Sequence, residues 1–265
     1  MKVLVIGADQ GLGKVLVRKL KENGYTTVAG LFSMKNKPEQ EEGVLYLPMD
    51  VTNEEQLQTS AERMEETVGK INCVVSVAGI LPPEDRTCTL MTEPIEVIRK
   101  QLDVNAVGVV TAFRTMMPHM EKGSKFFAVT SEGGSFTLAG TLFPGYGVSK
   151  TAANKFVQVL RLTCGTDPVD LIAVHPGRMN TEMGRTTAQI EPEESANGFL
   201  NLISGKTEIH SEEHWFIDYL GHPMQCNEVL DNIKRKEENY GDRNKKSSAH
   251  FICSKGHSES DGELG

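Results

Sequence analysis

Cysteine is scarce in this chain and forms no local pairs. The 265 residues include five cysteines, an odd number, and no two of them lie in a CxxC pattern. Disulfide-stapled secreted domains and zinc ribbons need paired cysteines, so both classes are disfavoured. The scattered thiols fit a reducing compartment, and we expect a cytoplasmic protein.

Long hydrophobic runs are also missing. No segment approaches the roughly 18 consecutive apolar residues that indicate a membrane-spanning helix. The opening run MKVLVIG is too short for the apolar core of a secretory signal. We therefore expect a soluble protein with no membrane partner.

Positive charge is in deficit. The chain has 28 Lys and Arg against 36 Asp and Glu, for a formal net charge of −8. Proteins that follow nucleic-acid phosphates usually present a basic surface, so a nucleic-acid partner is disfavoured and a small molecule is the expected partner. With 38% hydrophobic residues, the composition is that of a globular protein with one large domain or two small ones.

What the chain does have is an alternation of short apolar runs and helix-like stretches. Strand-like runs lie at residues 2–6, 26–32, 44–47, 71–77, 125–129 and 171–174. Between and after them lie helix-like stretches, among them residues 53–68, 94–120 and 146–162. This alternation is typical of parallel strands joined by right-handed helical crossovers. The sequence therefore predicts an α/β fold, with helices on both faces of a mostly parallel sheet.

A glycine-rich turn follows the first predicted strand. Gly7, Gly11 and Gly13 have the spacing GxxxGxG, not GxGxxG. Glycine suits positions of positive φ and positions where backbone approaches a pyrophosphate or a helix packs tightly on a strand. In isolation, the three glycines could equally belong to an ordinary turn between a strand and a helix. Its place between an apolar strand and an amphipathic helix favours a dinucleotide site, formed by Gly7, Asp9, Gln10, Gly11, Leu12 and Gly13.

The end of the second predicted strand should select between NAD and NADP. An acidic residue there would bind the ribose hydroxyls of NAD, and a basic one would accept the 2′-phosphate of NADP. Residues 30–33 hold neither, but Ser33 is followed by Lys35 and Lys37, and Lys14 follows the glycines. Ser33 and these lysines are predicted cofactor contacts that favour NADP over NAD, unless the lysines are only solvated loop residues.

Asp50 and Val51 follow the third predicted strand. The Asp50 carboxylate could accept a hydrogen bond from the adenine amino group. It could equally cap the helix that starts near Asn53, because Asp is a good N-cap residue. The two roles are compatible, and both remain open at this point.

A phenol and an ammonium lie four residues apart at the start of a predicted helix. Tyr146 and Lys150 therefore project from one face. A phenol with a pKa near ~10 serves acid–base chemistry at neutral pH when a nearby cation favours its phenolate. Alone, such a pair is more often an exposed helical pair than a site. Ser131, at the end of an apolar strand, could polarise a substrate carbonyl, with Ser135 and Ser149 as the competing serines.

Together these motifs resemble the short-chain dehydrogenase/reductase family in its single-domain form. Three departures are visible. Ile6 stands where the family often has Thr, Ser76 and Val77 replace the two asparagines of its Asn-Asn-Ala-Gly motif, and the interval of 15 residues from Ser131 to Tyr146 is slightly longer than usual. The run at residues 215–219 resembles the last strand of a subgroup that contains the C-factor signalling protein and fungal ketoreductases. The matching positions are Gly7, Gly11, Gly13, Ala78, Gly79, Asn105, Ser131, Tyr146, Lys150, Pro176, Gly177 and Thr181.

The resemblance implies a Rossmann-type, doubly wound, seven-stranded sheet and an enzyme that transfers hydride between NAD(P) and a carbonyl or alcohol. Tyr146 would be the general acid/base, and Lys150 would lower its pKa and bind the nicotinamide ribose. Ser131 would bind the substrate oxygen, Asn105 would support a water relay next to the cofactor, and Thr181 would contact the nicotinamide carboxamide. A homodimer or homotetramer is implied as well.

The alternative is a nucleotide-binding sensor or signalling protein of C-factor type, with little or no turnover. The intact Asn105, Ser131, Tyr146 and Lys150 favour the enzyme, because a pure sensor has no chemical need for all four.

Beyond the catalytic region the sequence changes character. Residues 1–224 are predicted to form the dinucleotide-binding and catalytic domain, and residues 225–265 a charged, flexible extension. The loop at 178–191 should line the substrate pocket with Met179, Met183 and Ile190. No metal is expected, because the spacings of the histidines and cysteines near the end fit no familiar site: His222, Cys226, His250, Cys253 and His257.

Overall fold

Parallel strands form the centre of the fold, as the alternating apolar runs predict. The computed structural model describes residues 1–38, 43–137, 142–184 and 187–226. The strands are β1 (Lys2–Ile6), β2 (Thr26–Leu31), β3 (Val44–Pro48), β4 (Ile71–Ser76), β5 (Met120–Val129), β6 (Val169–His175) and β7 (Phe216–Asp218). They pair in parallel in the order β3-β2-β1-β4-β5-β6-β7. The predicted doubly wound sheet of seven strands is confirmed.

Helices cover both faces of this sheet. They are α1 (Gly11–Glu22), α2 (Glu54–Val68), α3 (Ile95–Leu102), α4 (Gly108–Met116), α5 (Pro144–Cys164) and α6 (Pro192–Ser204). One hydrophobic core packs α1 and α6 on the sheet, and a second packs α2, α4 and α5 on the opposite face. Phe127 meets Phe199 edge to face in the first core, and Phe113 meets Phe126 in the second. Burying each such side chain stabilises the fold by roughly 1.5–3 kcal/mol.

The long helix predicted at residues 94–120 is wrong as a single element. It is divided into α3, a π-helical segment at Asp103–Val107, α4 and a short 3-10 turn at Met117–His119. Strand β5 then begins at Met120, earlier than the apolar run predicts. The interruption lies at Asn105, whose side chain is hydrogen-bonded outside its own helix. Apolar periodicity alone does not reveal such a change of helical pitch.

The strand order reverses at β1 and β4, which lie side by side at the centre of the sheet. The chain turns from β1 towards β2 and β3, and from β4 towards β5, β6 and β7. Crossover connections therefore diverge to the two sides and leave a crevice at the carboxyl ends of β1 and β4. The predicted functional residues follow these and neighbouring strands.

The C-terminal end of the described chain stays close to the sheet. Residues Met1–Cys226 form one compact unit. Backbone oxygens of Gln225 and Cys226 accept hydrogen bonds from Ser135 Oγ and Phe136 N. The extension predicted at 225–265 lies almost entirely outside the described residues, as do His250, Cys253 and His257, so that prediction stays a prediction.

The described part of the chain contains neither a membrane-spanning helix nor a cluster of metal-ligating side chains. None of the described helices is long and apolar enough to cross a bilayer. Among the same residues, no group of three His, Cys, Asp or Glu side chains lies together in a way that could hold a metal ion.

Candidate active site

A large open cleft occupies the crevice at the carboxyl ends of the strands. Its volume is about 1900 Å³. The predicted site residues that line it are Gly7, Asp9, Gln10, Gly11, Leu12, Asp50, Val51, Ala78, Gly79, Ser131, Tyr146, Lys150, Pro176, Gly177 and Thr181. Three predicted contacts, Gly13, Ser33 and Asn105, are not part of the lining. The tertiary structure thus brings residues from the loops after five strands, and from the starts of α1 and α5, to one surface.

The glycine turn has a geometry that only glycine permits. Gly7 and Gly11 have φ values of +87° and +52°. A Cβ atom on Gly7 would lie 2.7 Å from the backbone nitrogen of Ala78, and one on Gly13 would lie 2.2 Å from Gly7 O. Helix α1 begins after Gln10 without a side-chain cap. Its first N–H groups therefore face the cleft with the positive end of the helix dipole, and the cradle fits a dinucleotide pyrophosphate.

Asp9 supplies the acid that residues 30–33 lack. Its Oδ2 accepts a hydrogen bond from Phe32 N at 2.8 Å, and its Oδ1 accepts one from Asn36 Nδ2 at 2.8 Å and one from Ser33 N at 3.3 Å. A carboxylate from the glycine turn is thus fixed at the end of β2. Ser33 itself caps a short 3-10 turn, because its Oγ accepts from Lys35 N. The sequence of β2 by itself does not indicate Asp9, because Asp9 lies 23 residues before Phe32.

The helix-capping alternative for Asp50 is wrong. Asn53 caps α2, because its side chain accepts a hydrogen bond from Gln56 N at 3.0 Å. Asp50 Oδ1 instead accepts from the backbone and hydroxyl of Thr52, and so it closes a local turn. The side chain remains on the cleft wall beside Val51, where the adenine contact stays a prediction.

Ser131, Tyr146 and Lys150 meet at the floor of the cleft. The Tyr146 phenol and Ser131 both line the cleft, and Ser131 is near enough to lower the pKa of the phenol. Lys150 is 3% exposed, and its Nζ lies 5.6 Å from the centroid of the Tyr146 ring and donates to Val129 O at 3.0 Å. An ammonium has three donors, so Lys150 can donate further bonds into the cleft.

The pKa of Tyr146 is raised, whereas the sequence predicts that it is lowered. It rises to about 12, mainly because the phenol is buried; Ser131 lowers it and the nearby Glu132 carboxylate raises it. Burial also lowers the pKa of Lys150 to about 8. In the chain by itself, loss of solvation therefore outweighs any lowering of the Tyr146 pKa by the lysine. The phenol holds its proton at neutral pH and can act as a proton donor.

Asn105 is an anchor between three segments. Its Oδ1 accepts from Ile80 N at 2.7 Å, and its Nδ2 donates to Ile80 O and to Ser149 Oγ, both at 2.9 Å. Ser149 Oγ in turn donates to the backbone oxygen of Tyr146 at 2.7 Å. Asn105 is fully buried, so it fixes the loop after β4 against the start of α5. The predicted water relay stays a prediction.

The competing serines point to other partners. Ser149 is fully buried in the Asn105 contact. Ser135 Oγ is paired with Thr137 and with the backbone of Gln225. Of the three serines, Ser131 is the one that lowers the pKa of the Tyr146 phenol, and its catalytic role stays a prediction.

The Pro-Gly turn after β6 closes the far wall of the cleft. Gly177 has a φ of +83°, and a Cβ atom there would lie 2.5 Å from Ile190 Cδ1. Ile190 thus packs into the core behind the wall, whereas Met179 and Met183 line the cleft. The expectation that Ile190 lines the pocket is wrong, because its side chain packs against the core and is not part of the cleft lining. Thr181 Oγ1 accepts from Gly184 N at 3.1 Å.

Several charged residues near the reactive groups belong to no recognisable sequence motif. Glu132 follows Ser131 directly, forms an ion pair with Arg178 and donates its backbone N–H to His175 Nδ1 at 3.2 Å. Burial lowers the pKa of His175, against the opposing charge of Glu132. Their position at the carboxyl ends of strands is the one sequence feature that could have indicated them, since His175 is the last residue of β6.

Comparison with known proteins assigns this fold and site to a family. Residues 1–192 match the family model described as short chain dehydrogenase, so the chain belongs to the short-chain dehydrogenase family. It is an oxidoreductase for alcohol and carbonyl groups with a nicotinamide cofactor. The predicted family is confirmed, while the subgroup stays a prediction.

Particular relatives support this assignment. The chain is 28% identical over 213 residues to 1-hydroxy-2-glutathionyl-2-methyl-3-butene dehydrogenase of Rhodococcus sp. (strain AD45), which covers 77% of this chain and 91% of the relative. It is 29% identical over 251 residues to short chain dehydrogenase gsfK of Penicillium aethiopicum, covering 83% and 96%. The NADPH-bound carbonyl reductase from chicken fatty liver shares the fold, with a TM-score of 0.73, 20% identity, and coverage of 84% of this chain and 98% of that one.

Proposed function

We propose that the protein transfers hydride between a nicotinamide cofactor and a carbonyl or alcohol substrate, with Tyr146 as the general acid/base. The observation that carries this proposal is the position of Tyr146 and Ser131 on one cleft wall, with the buried ammonium of Lys150 5.6 Å from the centroid of the Tyr146 ring. In the reducing direction Ser131 donates a hydrogen bond to the substrate oxygen, and Tyr146 gives that oxygen its proton as hydride reaches the carbon.

The cofactor, when bound, supplies or accepts the hydride. The glycine turn and the uncapped start of α1 would hold its pyrophosphate, and Asp50 and Val51 its adenine. Lys150 would donate to the nicotinamide ribose, and Thr181 to the carboxamide. A Cβ atom on Gly79 would lie 3.2 Å from Asn105 Oδ1 and 3.4 Å from Lys150 Nζ, so a side chain at this position would crowd both groups.

Titration of the purified protein with NADH and NADPH tests the proposal, followed by a carbonyl screen with whichever binds. We expect saturable binding of at least one cofactor and its consumption with a carbonyl. Binding of neither cofactor would refute the proposal. Binding without any turnover would favour the sensor alternative.

Between the two cofactors, we propose a preference for NAD. The lysines that favour NADP, Lys35 and Lys37, are exposed beyond β2. The Asp9 carboxylate is instead held at the end of β2 by three hydrogen bonds. A fixed carboxylate there would accept from ribose hydroxyls and would repel a 2′-phosphate.

Asp9→Asn is expected to shift the ratio of NADPH to NADH affinity about tenfold towards NADPH, or about 1.4 kcal/mol. The amide keeps one acceptor oxygen but removes the negative charge. Competitive titration measures the ratio, and Asp50→Asn is the control, because it should weaken both cofactors alike. A wild-type protein that prefers NADPH, with a ratio unmoved by Asp9→Asn, would contradict the preference.

The substrate end of the cleft is apolar. Leu90, Met91, Phe136 and Leu142 line it with relative exposures of 53%, 91%, 74% and 77%. The nearby charges of Glu132 and Arg178 neutralise each other in an ion pair. Exposed apolar side chains grouped around a cleft indicate a ligand that covers them. We propose a carbonyl or alcohol substrate with a large apolar body.

In a homologous series of ketones, kcat/KM is expected to rise about fourfold for each added methylene that reaches this surface, from about 0.8 kcal/mol per buried CH₂. Leu142→Ser should flatten the series without changing the rate for the shortest ketone. Leu220→Ser, at an exposed leucine outside the cleft, should leave the series as it is. A series that is flat in the wild-type protein would exclude an apolar substrate.

The rate of reduction is expected to fall as pH rises through about 8. Lys150, with its pKa lowered to about 8 by burial, then loses the charge beside the phenol. The folded pKa lies below the ordinary 10.5, so the unfolded chain binds more protons in this window and the Lys150 contribution to stability increases with pH. A pH profile of kcat/KM measures the change in rate, and melting temperatures at pH 7.5 and 8.5 measure the change in stability. A rate loss that accompanies a falling melting temperature would indicate unfolding instead.

Cellular location and assembly stay predictions. The cytoplasm is expected from the cysteine pattern. A homodimer or homotetramer is supported by α5, where Phe156, Val159 and Leu162 expose apolar side chains at helical spacing.

A further inference from the structure

Two buried carboxyl groups lie beneath the start of the helix that carries Tyr146 and Lys150. Asp85, in a short 3-10 turn after β4, is 1% exposed, and Glu93 is 4% exposed. Neither takes part in the hydride-transfer chemistry described above. Buried carboxyl groups destabilise a fold unless they are paired and hydrogen-bonded, so their partners indicate what they do.

Asp85 caps helix α5 from outside the helix. Its Oδ1 accepts from Gly145 N at 2.9 Å, and its Oδ2 accepts from Tyr146 N at 2.8 Å. The first N–H groups of a helix have no partner within it. Phe143 precedes the helix and provides no side-chain cap, and Pro144 has no N–H to donate. The Asp85 carboxylate therefore fixes the backbone of Tyr146 itself, and its charge is favourable at the positive end of the helix.

Glu93 is the second buried carboxyl group, and it lies near Asp85. Its Oε1 accepts from Gln101 Nε2 at 3.0 Å, and its buried Oε2 has no hydrogen-bond partner among the described residues. Two neighbouring buried carboxyl groups are stable together when one of them carries a proton. Both Asp85 oxygens accept from backbone amides, whereas Glu93 Oε2 has no donor, so the proton belongs on Glu93. Burial, followed by the charge of Asp85, raises the pKa of Glu93 in agreement.

The backbone of α5 is pressed against this pair. A Cβ atom on Gly145 would lie 2.4 Å from Gln101 Nε2 and 2.8 Å from Glu93 Oε2. Phe143 has a left-handed φ of +54°, a strained conformation for a residue with a side chain. The Arg86 guanidinium lies 5.5 Å from the Phe143 ring centroid, and Arg86 Nη2 donates to Met183 O at 2.5 Å. The turn that contains Asp85 thus fixes the entry into α5 and the opposite cleft wall together.

We propose that Asp85, held by a protonated Glu93, is a positioning residue that sets the location of Tyr146 at the floor of the cleft. The inference rests on the proposed role of Tyr146 as proton donor. Asp85 is not part of the cleft lining and acts through the first turn of α5.

Asp85→Asn tests the acceptor role. The amide has one acceptor oxygen, and its NH₂ group would face a second N–H donor. We expect kcat to fall about 100-fold, the order of loss that a displacement of about 1 Å produces. The KM for the cofactor should stay within about twofold of the wild-type value, because the glycine turn is untouched. Asp167→Asn, at an aspartate with a 67% exposed side chain, is the matched control and should leave both constants unchanged.

Glu93 variants test which carboxyl group carries the proton. Gln is the neutral counterpart of a protonated Glu and can donate to Asp85, so Glu93→Gln should keep kcat within about threefold. Glu93→Leu cannot donate and should lower kcat about tenfold. If Asp85→Asn fails to fold, this pair still decides the matter. Equal rates for Glu93→Gln and Glu93→Leu, or a loss in Glu93→Gln as large as in Asp85→Asn, would overturn the assignment.

Hydrogen exchange supplies a readout that needs no substrate. The amides of Gly145 and Tyr146 should be protected in the wild-type protein and in Glu93→Gln, and should exchange at least about tenfold faster in Asp85→Asn. Slow exchange in a folded Asp85→Asn protein would refute the capping. If Tyr146→Phe keeps full activity while the exchange result holds, the proposed function fails and the capping stands. If Tyr146→Phe is inactive and Asp85→Asn has the wild-type kcat, the positioning role alone fails.

Discussion

Replacing Tyr146 by Phe is expected to lower kcat for carbonyl reduction by about 1000-fold, within the range that general acid catalysis supplies. The ring and its packing remain, and only the hydroxyl near Ser131 is removed. Without it, the substrate oxygen loses its proposed proton donor as hydride adds. Cofactor affinity should change by less than about threefold, because the pyrophosphate cradle lies elsewhere in the cleft. Single-turnover and steady-state oxidation of the reduced cofactor measure the change in kcat and the change in cofactor affinity.

Tyr25→Phe is the matched control for this change. Tyr25 lies just before β2, outside the cleft lining, so its variant should keep the wild-type kcat. An undiminished rate in Tyr146→Phe would exclude the phenol as the proton donor. A comparable loss in both variants would point to a general effect of tyrosine replacement on folding.

Gly13→Ala is expected to weaken binding of either cofactor at least about 100-fold and to destabilise the fold by about 1–3 kcal/mol through overpacking. The added Cβ would lie 2.2 Å from Gly7 O and 2.9 Å from Gly7 C, and both are backbone atoms that cannot rotate away. The turn must shift, and with it the N–H groups that are aimed at the pyrophosphate. Thermal melting and cofactor titration measure the two effects.

Gly24→Ala separates the loss of binding from the loss of stability. Gly24 lies beyond the other end of α1, where a Cβ atom has no neighbour within 4 Å. Its φ of +77° alone destabilises the variant, by about 1–2 kcal/mol. We expect a stability loss similar to that of Gly13→Ala with unchanged cofactor affinity. Weakened cofactor binding in Gly24→Ala as well would show that destabilisation, not the turn, is responsible.

The candidate site shows how far residue patterns reach. The glycine turn, the strand-end serine and the Tyr146–Lys150 pair are local patterns, and their order along the chain is enough to predict an α/β enzyme of this family. The roles that depend on distant partners were missed or misjudged. Asp9 lies in the predicted turn, but its position at the end of β2 follows from hydrogen bonds to residues more than 20 positions away. Asp50 was a possible helix cap until Asn53 proved to hold that place.

The sequence by itself determined the strands and most of the helices, the order of the motifs along the chain, and the residue types for hydride-transfer chemistry. Each of these depends on spacing within one strand, turn or helix. Only the tertiary structure decided the solvation and partners of those groups. The pKa of Tyr146 is raised because burial removes water that no spacing rule can count. The cap on its helix comes from Asp85, 61 residues earlier, and such a contact exists only once the chain has folded.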